Sequence, residues 1–388
     1  MNDNELSSKK LIRERDIYIN NFDKNEEELK ETGKNFITDY EYKVANDIYN
    51  NYKYNNKVIS LVVAESEIGK TGIIQALTRE FIYNNDIEPA NILLFTGLSS
   101  CEWLRQTENR FIEMIRPNIF HTIKKFTDFI KEKRDLLIIL DEIHLIPELK
   151  NNLSIRFKEC GLLDINNLIE RNIKFIQISA TPNTILAELY KWDRYNFNIF
   201  VIKPPDNYIG INKLLKDGKI LEYKSLLSID NVREIREIID NKYKNNYKYH
   251  LIRIHTNQKD NKIIMDNINE VFNNETFYIK KNNINDDLNE MFLDIEPKKH
   301  TIIILKEKIK CSYTINKSYI GILYERNILS ENNEMTIING LISRACGYYD
   351  NNDILIFSNI NIIKKYIQNI NTNNDILLLK LFYYRKNI

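Results

Sequence analysis

Between residues 57 and 202, short runs of Ile, Val and Leu alternate with longer stretches in which apolar positions recur at helical spacing. The runs Val58–Val63, Asn91–Phe95, Leu136–Leu140, Lys174–Ile178 and Asn198–Ile202 are almost continuous in apolar side chains. That pattern suits strands covered on both faces, and its alternation with helices predicts a parallel sheet with helices on either side. Pro204-Pro205 can continue neither a strand nor a helix and sets a boundary. The alternation then resumes, with helices expected over 232–243, 259–272, 336–345 and 360–370 and strands over 249–254, 276–279, 301–305, 319–324 and 353–357. The expected fold class is α/β, with two domains, each a mostly parallel sheet with helices on both faces: residues 36–205 and 206–388, preceded by a charged arm over 1–35.

Composition narrows the class. A chain of 388 residues with 43% hydrophobic content can bury a large core, and its length favours two domains over one. Its formal net charge of +1 announces no global basic field, so any nucleic-acid binding must use a local patch. The four cysteines (Cys101, Cys160, Cys311, Cys346) are widely spaced, without a CxxC pair or a histidine at ligand spacing. This argues against a zinc site or a disulfide framework and for a reducing, cytoplasmic compartment. The arm over 1–35 is rich in Asn, Glu and Lys and has no apolar core, so it reads as neither a signal peptide nor a membrane anchor. The stretch Ile376–Tyr384 is broken by Lys380 and is too short to span a bilayer, so no membrane partner is expected.

Candidate chemistry sits at the ends of the predicted strands. Ala64-Glu65-Ser66-Glu67-Ile68-Gly69-Lys70-Thr71 follows one strand and opens a helical pattern that runs from Thr71 to Ile82, with Gly72 in its first turn. This is the context of a phosphate-binding loop: backbone N–H groups turned inward, a helix N-terminus aimed at the phosphates, and a lysine reaching the outer phosphates. Lys70 would contact the β- and γ-phosphates of ATP and Thr71 would offer its hydroxyl to Mg²⁺, with Glu67, Ile68, Gly69 and Gly72 completing the loop. Gly69-Lys70-Thr71 alone is equally an ordinary helix start; the preceding strand and the partners downstream favour the loop. Ala64 replaces the first glycine of the general pattern, and Glu65 and Glu67 bring negative charge towards an anionic ligand. At the end of another apolar run stands Asp141-Glu142-Ile143-His144. Asp141 is expected to hold Mg²⁺, and Glu142 to orient and deprotonate the attacking water. The bland alternative is a solvated strand end with His144 as a helix cap.

These strings, together with Ser179-Ala180-Thr181, resemble the DExH type of superfamily 2 helicases, which are built from two RecA-like domains. Three motifs stand in the family's order, and the resemblance extends over about Phe36 to Asn359. It implies that Ser179 and Thr181 couple the ATP site to a nucleic-acid groove, with His144 as their hydrogen-bonding counterpart, although a Ser/Thr turn before Pro182 would look the same. Tyr40-Glu41 stands where many relatives have an aromatic followed by an adenine-reading glutamine. In the second domain, Gly340-Leu341-Ile342-Ser343-Arg344-Ala345-Cys346-Gly347 aligns with a Gln/His-x-x-Gly-Arg-x-x-Arg motif and keeps only Arg344, the arginine that would approach the γ-phosphate. A surface arginine on a helix is the alternative. Thr96-Gly97-Leu98-Ser99 with Trp103, and Ser343 to Tyr348, are similar to strings in helicases of large DNA viruses, phages and related mobile elements.

Thr96, Gly97 and Ser99 follow a strand and open a helix, so their N–H groups and hydroxyls could hold a backbone phosphate of nucleic acid; an ordinary capped helix is the competing account. The Tyr/Lys/Asn stretches over 51–57 and 243–249 could stack bases, but solvated surface in a compositionally biased chain is the favoured account. His121, His250, His255 and His300 have no partner at metal-ligand or triad spacing. The resemblance therefore implies a nucleic-acid-stimulated ATPase, acting as a helicase or translocase on DNA in preference to RNA. The departures at Ala64, Glu67, Ser343 and Gly347 keep open a helicase-fold scaffold with little turnover. A motor subunit working with protein partners in a larger complex is a third reading.

Overall fold

In a computed structural model of the chain, the residues described are 16, 19–31, 36–55, 57–84, 86–96, 101–112, 116–120, 122–141, 155–180, 197–244, 246–254, 258–272, 276–281, 288–306, 315–326, 337–348 and 353–371. They fall into two compact units, one of residues up to 65 and 69–205, the other of residues 66–68 and 206 onward.

The first unit is built on β1 (Ile59–Val63), β2 (Ile92–Thr96), β3 (Asn118–Phe120), β4 (Leu136–Asp141), β5 (Ile173–Ser179) and β6 (Phe197–Val201). They form one sheet in the order β3-β2-β4-β5-β1-β6. Every pairing in it is parallel. Parallel neighbours need a crossover between them, and the helices Lys70–Tyr83, Cys101–Arg110, Ile123–Ile130 and Ile165–Glu170 supply it. β1, β2 and the first five residues of β4 are buried at every position, as their unbroken apolar sequence requires. Phe95 and Phe126 stack at 4.7 Å between ring centres, and Phe157 links Phe126 to Phe175.

The second unit repeats the plan. β7 (Ile220–Glu222), β8 (Tyr249–Ile254), β9 (Phe277–Lys281), β10 (His300–Lys306), β11 (Ile320–Tyr324) and β12 (Leu355–Ser358) assemble in the order β7-β12-β11-β8-β10-β9. All of these pairings are also parallel. The helices Ile229–Lys242 and Gln258–Phe272 pack Val232, Ile235, Ile239, Ile264, Ile268 and Phe272 onto this sheet.

The helix expected over 336–345 does not form as one element. Two helical residues at Ile337 and Ile338 give way to a turn and then to the short 3₁₀ segment Ile342–Ala345. Gly340 interrupts the run, and its N–H turns back to the Ile337 carbonyl instead of continuing a helix. Two short strands, β3 and β7, were not expected from the sequence; each has only three residues, too few to show a period. Among the described residues no helix is long and apolar enough to cross a membrane.

Candidate nucleotide site

The loop after β1 has the backbone of an anion-binding turn. Glu67 (φ +59°) and Gly69 (φ +101°) are both left-handed, so the chain curls just before Lys70 starts the helix Lys70–Tyr83. Alternation of left- and right-handed residues gathers N–H groups into a concavity, and the first turn of a helix adds its unpaired N–H groups and the positive end of its dipole. Lys70 and Thr71, the first two residues of the helix, are both half-buried. Ile73 N–H donates to the Gly69 carbonyl at 3.0 Å, which closes the first turn on the glycine.

Sheet order brings the separate motifs to one edge. Val63, the last residue of β1, is level with Ser179 at the end of β5; Ile178 is level with Asp141 at the end of β4; and Asp141 is level with Thr96 at the end of β2. Strands in a sheet are about 4.8 Å apart, so Asp141 stands roughly 10 Å from the start of the loop, with β5 between them. The Ala64 N–H donates to the Ser179 carbonyl at 3.0 Å and ties the loop to β5. Asp141 is half-buried, whereas Ser179 and Thr96 are fully buried. The Thr71 hydroxyl and the Asp141 carboxylate are hard oxygen donors, the kind Mg²⁺ prefers. Glu142, Ile143, His144, Thr181, Gly97 and Ser99 lie outside the described residues, as does the side chain of Trp103.

Glu41 forms part of this site, although the sequence reading gave it only the place of a base reader. Thr38-Asp39-Tyr40-Glu41 is a capping box for the helix Asp39–Asn55. The Thr38 N–H donates to Glu41 Oε2 at 2.7 Å, the Thr38 hydroxyl donates to the same oxygen at 3.0 Å, and the Glu41 N–H returns to Thr38 Oγ1 at 3.2 Å. The other carboxylate oxygen lies against the candidate phosphate loop: a Cβ added to Gly69 or Gly72 would come within 2.3 or 2.1 Å of Glu41 Oε1. Burial raises the Glu41 pKa, and the two bonds from Thr38 oppose that shift. Burial, with the negative charges of Glu41 and Glu65, pushes the neighbouring Tyr40 phenol up to about 12. A Thr-x-x-Glu string before an amphipathic helix was the available signal.

In the second unit, the segment carrying Arg344 is buried at every residue from Ile337 to Gly347. Arg344 Nε donates to Ser343 Oγ at 3.1 Å, and Ser343 Oγ donates to the Gly340 carbonyl at 2.9 Å. Ser343, which departs from the family's glycine, thus steadies the arginine. Arg344 Nη1 donates to Glu67 Oε1 at 2.7 Å; Glu67 is one of the three loop residues grouped with this unit. The segment is held at both ends. Glu325, fully buried at the end of β11, accepts the Leu341 N–H at 2.8 Å and is paired with Arg253 of β8 at 3.2 Å. Gly347 exchanges two backbone hydrogen bonds with Ile209, and Lys317 Nζ donates to the carbonyl of Cys346. No sequence signal marked Glu325 or Lys317, because both act through residues remote in the chain.

The Tyr/Lys/Asn stretches are largely structural. Tyr52 and Tyr243 are buried, with hydroxyls donating to the carbonyls of Phe175 and Gly321, whereas Tyr54 and Tyr247 are exposed. His250 and His300, which showed no partner by spacing, meet across the β8–β10 pairing at 3.2 Å.

No family model matches the sequence. An uncharacterised protein of Acanthamoeba polyphaga mimivirus, L594, is 24% identical over 322 residues, 74% of this chain and 77% of that one. Among solved structures, the DEAD-box helicase Mss116 bound to single-stranded RNA and UDP-BeF superposes with a TM-score of 0.52 at 13% identity, over 83% of this chain and 70% of that chain. The ATP-dependent Type ISP restriction-modification enzyme LlaBIII bound to DNA gives a TM-score of 0.51 at 12% identity, over 86% of this chain and only 29% of that much longer one. With two six-stranded parallel sheets in this order, each flanked by helices, the chain has the fold of two RecA-like domains, as in the helicase Mss116.

Proposed function

We propose that this chain is a nucleic-acid-stimulated ATPase that works as a helicase or translocase, on DNA in preference to RNA. The observation that carries the reading is the edge of the first sheet. There the start of the curled loop ahead of Lys70, Asp141 and Ser179 stand within about one residue of the same level on β1, β4 and β5, although they are far apart in sequence. Phosphoryl transfer asks a protein mainly for positioning and electrostatic stabilisation, and these groups offer both. Lys70 and the N–H groups of the first helical turn bind the outer phosphates. Thr71 and Asp141 would hold Mg²⁺, which would neutralise charge on the phosphate oxygens. Glu142 orients and deprotonates the attacking water, Arg344 stabilises the charge that develops on the transferred group, and Ser179, Thr181 and His144 pass the change of state to the strand-binding loops. Thr96, Gly97 and Ser99 contribute to that grip. The relatives support a nucleic-acid substrate in general, since Mss116 was solved on RNA and LlaBIII on DNA.

The test is ATP hydrolysis by the full chain with no nucleic acid, single-stranded DNA, duplex DNA and RNA, beside Lys70→Ala and Glu142→Gln. Stimulated turnover that both substitutions abolish is the expected result; nucleic-acid binding without turnover by the unmodified chain would sink the motor reading. A second reading, a helicase-fold scaffold with little turnover, draws on one observation: Arg344 is paired with Glu67 and so is engaged by the protein's own carboxylate. Tight nucleic-acid binding insensitive to ATP would favour it.

A further inference from the structure

β9 is the outermost strand of the second sheet and, among the described residues, pairs with β10 alone. Its side chains alternate: Phe277 and Ile279 pack into the core with residues of the helices Ile229–Lys242 and Gln258–Phe272, which sends Tyr278 and Lys280 to the opposite face. There Tyr278 is 47% exposed. The Lys280 ammonium lies 5.9 Å from the centre of its ring, and Lys299, the residue just before β10, brings a second ammonium to 5.0 Å. Two cations from neighbouring strands therefore converge on one solvent-facing ring. Both distances are within the reach of a cation–π contact.

The cations of this unit are not all arranged alike. Lys224 is paired with Glu234, Arg233 with Asp230 and Glu270, and Arg236 with Asp240, the usual balance of a solvated surface. Among the described residues, Lys280 and Lys299 are paired with no carboxylate and meet the ring instead. Ammonium groups gathered on one ring repel each other, so the patch is electrostatically complementary to a polyanion. The ring decides which polyanion. Each nucleotide of a single strand offers a phosphate and the π-face of a base, whereas Asp and Glu side chains of an acidic protein offer charge alone. In a chain of net charge +1, a local patch of this kind is what nucleic-acid binding requires. We propose that Tyr278, Lys280 and Lys299 form a contact site for single-stranded nucleic acid, in which the ammonium groups hold backbone phosphates and the ring stacks on a base. This rests on the nucleic-acid part of the proposed function and adds to it a contact in the second unit, on a sheet face that no motif of the sequence marks.

The experiment titrates labelled oligothymidylate with the full chain, without nucleotide and over a range of salt. It compares the unmodified protein with Tyr278→Ala, Tyr278→Phe and the double variant Lys280→Gln with Lys299→Gln, and measures ATP turnover without nucleic acid beside them. Tyr278→Ala is expected to bind at least about fivefold more weakly, the smaller end of what one stacked base contributes, and Tyr278→Phe to bind as the unmodified chain does. The double variant should make the slope of log K against log salt shallower by about 1.4, from two lysines at about 0.7 each. Turnover without nucleic acid should be the same in all four proteins, since none of the three residues is assigned to the nucleotide. Unchanged affinity and slope in Tyr278→Ala and in the double variant overturn the site and leave the ATPase reading standing. A shallower slope in the double variant with full affinity in Tyr278→Ala means charge without stacking and also overturns it, as does polyglutamate that displaces the DNA at equal concentration of charge. If the unmodified chain binds the DNA through this site but hydrolyses no ATP, the site stands and the motor reading falls; a chain that binds no nucleic acid overturns both.

Discussion

Glu41 does two jobs with one carboxylate, and the second reverses an ordinary rule. Gly72 sits in the first turn of the helix Lys70–Tyr83, where replacement of glycine by alanine normally stabilises by about 1 kcal/mol. Here the new methyl group would lie 2.1 Å from Glu41 Oε1 and 2.2 Å from Cδ, while Oε2 is committed to Thr38. Gly72→Ala is therefore expected to destabilise by about 1–3 kcal/mol, the usual cost of overpacking. In a Glu41→Ala background the same substitution should stabilise. Urea midpoints of the four proteins measure the coupling, and one sign in both backgrounds would show that the carboxylate is free to move aside. Lys70, Thr71 and Asp141 stood out as candidates because each belongs to a short string that follows a predicted strand, and Arg344 because of a motif-like string within an expected helix. Glu41 and Lys317 were not assigned their contacts, because a capping carboxylate and a loop lysine acquire them only when the chain folds.

The elements of the second unit are tied by two buried polar pairs, and each predicts a measurable response. Arg253 on β8 and Glu325 just beyond β11 are 2% and 0% exposed, and Glu325 also accepts the N–H of Leu341 and of Arg326. Glu325→Ala leaves a buried guanidinium and two N–H groups without an acceptor, so it should cost about 3–5 kcal/mol by urea denaturation. Arg253→Met with Glu325→Leu should cost clearly less. On β8 and β10, the Lys248 N–H donates to His300 Nδ1, so that nitrogen is an acceptor and His250 must donate to it from Nε2. Burial, His300 and Lys248 hold the His250 pKa well below its ordinary value. Burial lowers His300 as well, against the nearby Asp240 charge and a backbone bond at Tyr243. In the unfolded chain both titrate near 6.5. Below that pH the unfolded state takes up protons that the folded state refuses, so stability is full above about pH 6.5. It falls as the pH drops from there, by up to about 1.4 kcal/mol per pH unit for each proton. Urea midpoints at pH 7.5, 6.5 and 5.5 should show the decline, and His250→Gln should flatten it. The strands themselves were readable from apolar runs because burial on both faces erases any polar position. The expected helix over 336–345 was not, because an apolar run fits a buried 3₁₀ turn pinned by Glu325 and Ile209 as well as it fits a helix.

For the whole molecule, the α/β class followed from strands alternating with helices, since nearly continuous apolar strands leave a parallel sheet as the economical arrangement. Strand order did not follow from that pattern. The insertion of β5 between β4 and β1, which sets the spacing of Asp141 from the phosphate loop, depends on pairings between distant runs of almost identical composition. Net charge bears on function at this scale. With 55 Lys and Arg against 54 Asp and Glu, the chain has no overall field to draw a polyanion in, so the proposed grip on nucleic acid must come from a few local contacts. Each phosphate neutralised on a single strand contributes about −0.7 to the slope of log K against log salt. A grip of about three to six phosphates then predicts a slope between roughly −2 and −4 for single-stranded DNA, and one steeper than about −7 would mean a continuous basic surface instead. Lys70→Ala should leave this slope unchanged when nucleotide is absent, because the proposed function gives Lys70 to the nucleotide and not to the strand. Titrations of labelled single-stranded DNA from 50 to 300 mM salt, on the order of the range over which such contacts are screened, measure both slopes. A shallower slope in Lys70→Ala would place that lysine on the strand and remove it from the phosphate loop's chemistry.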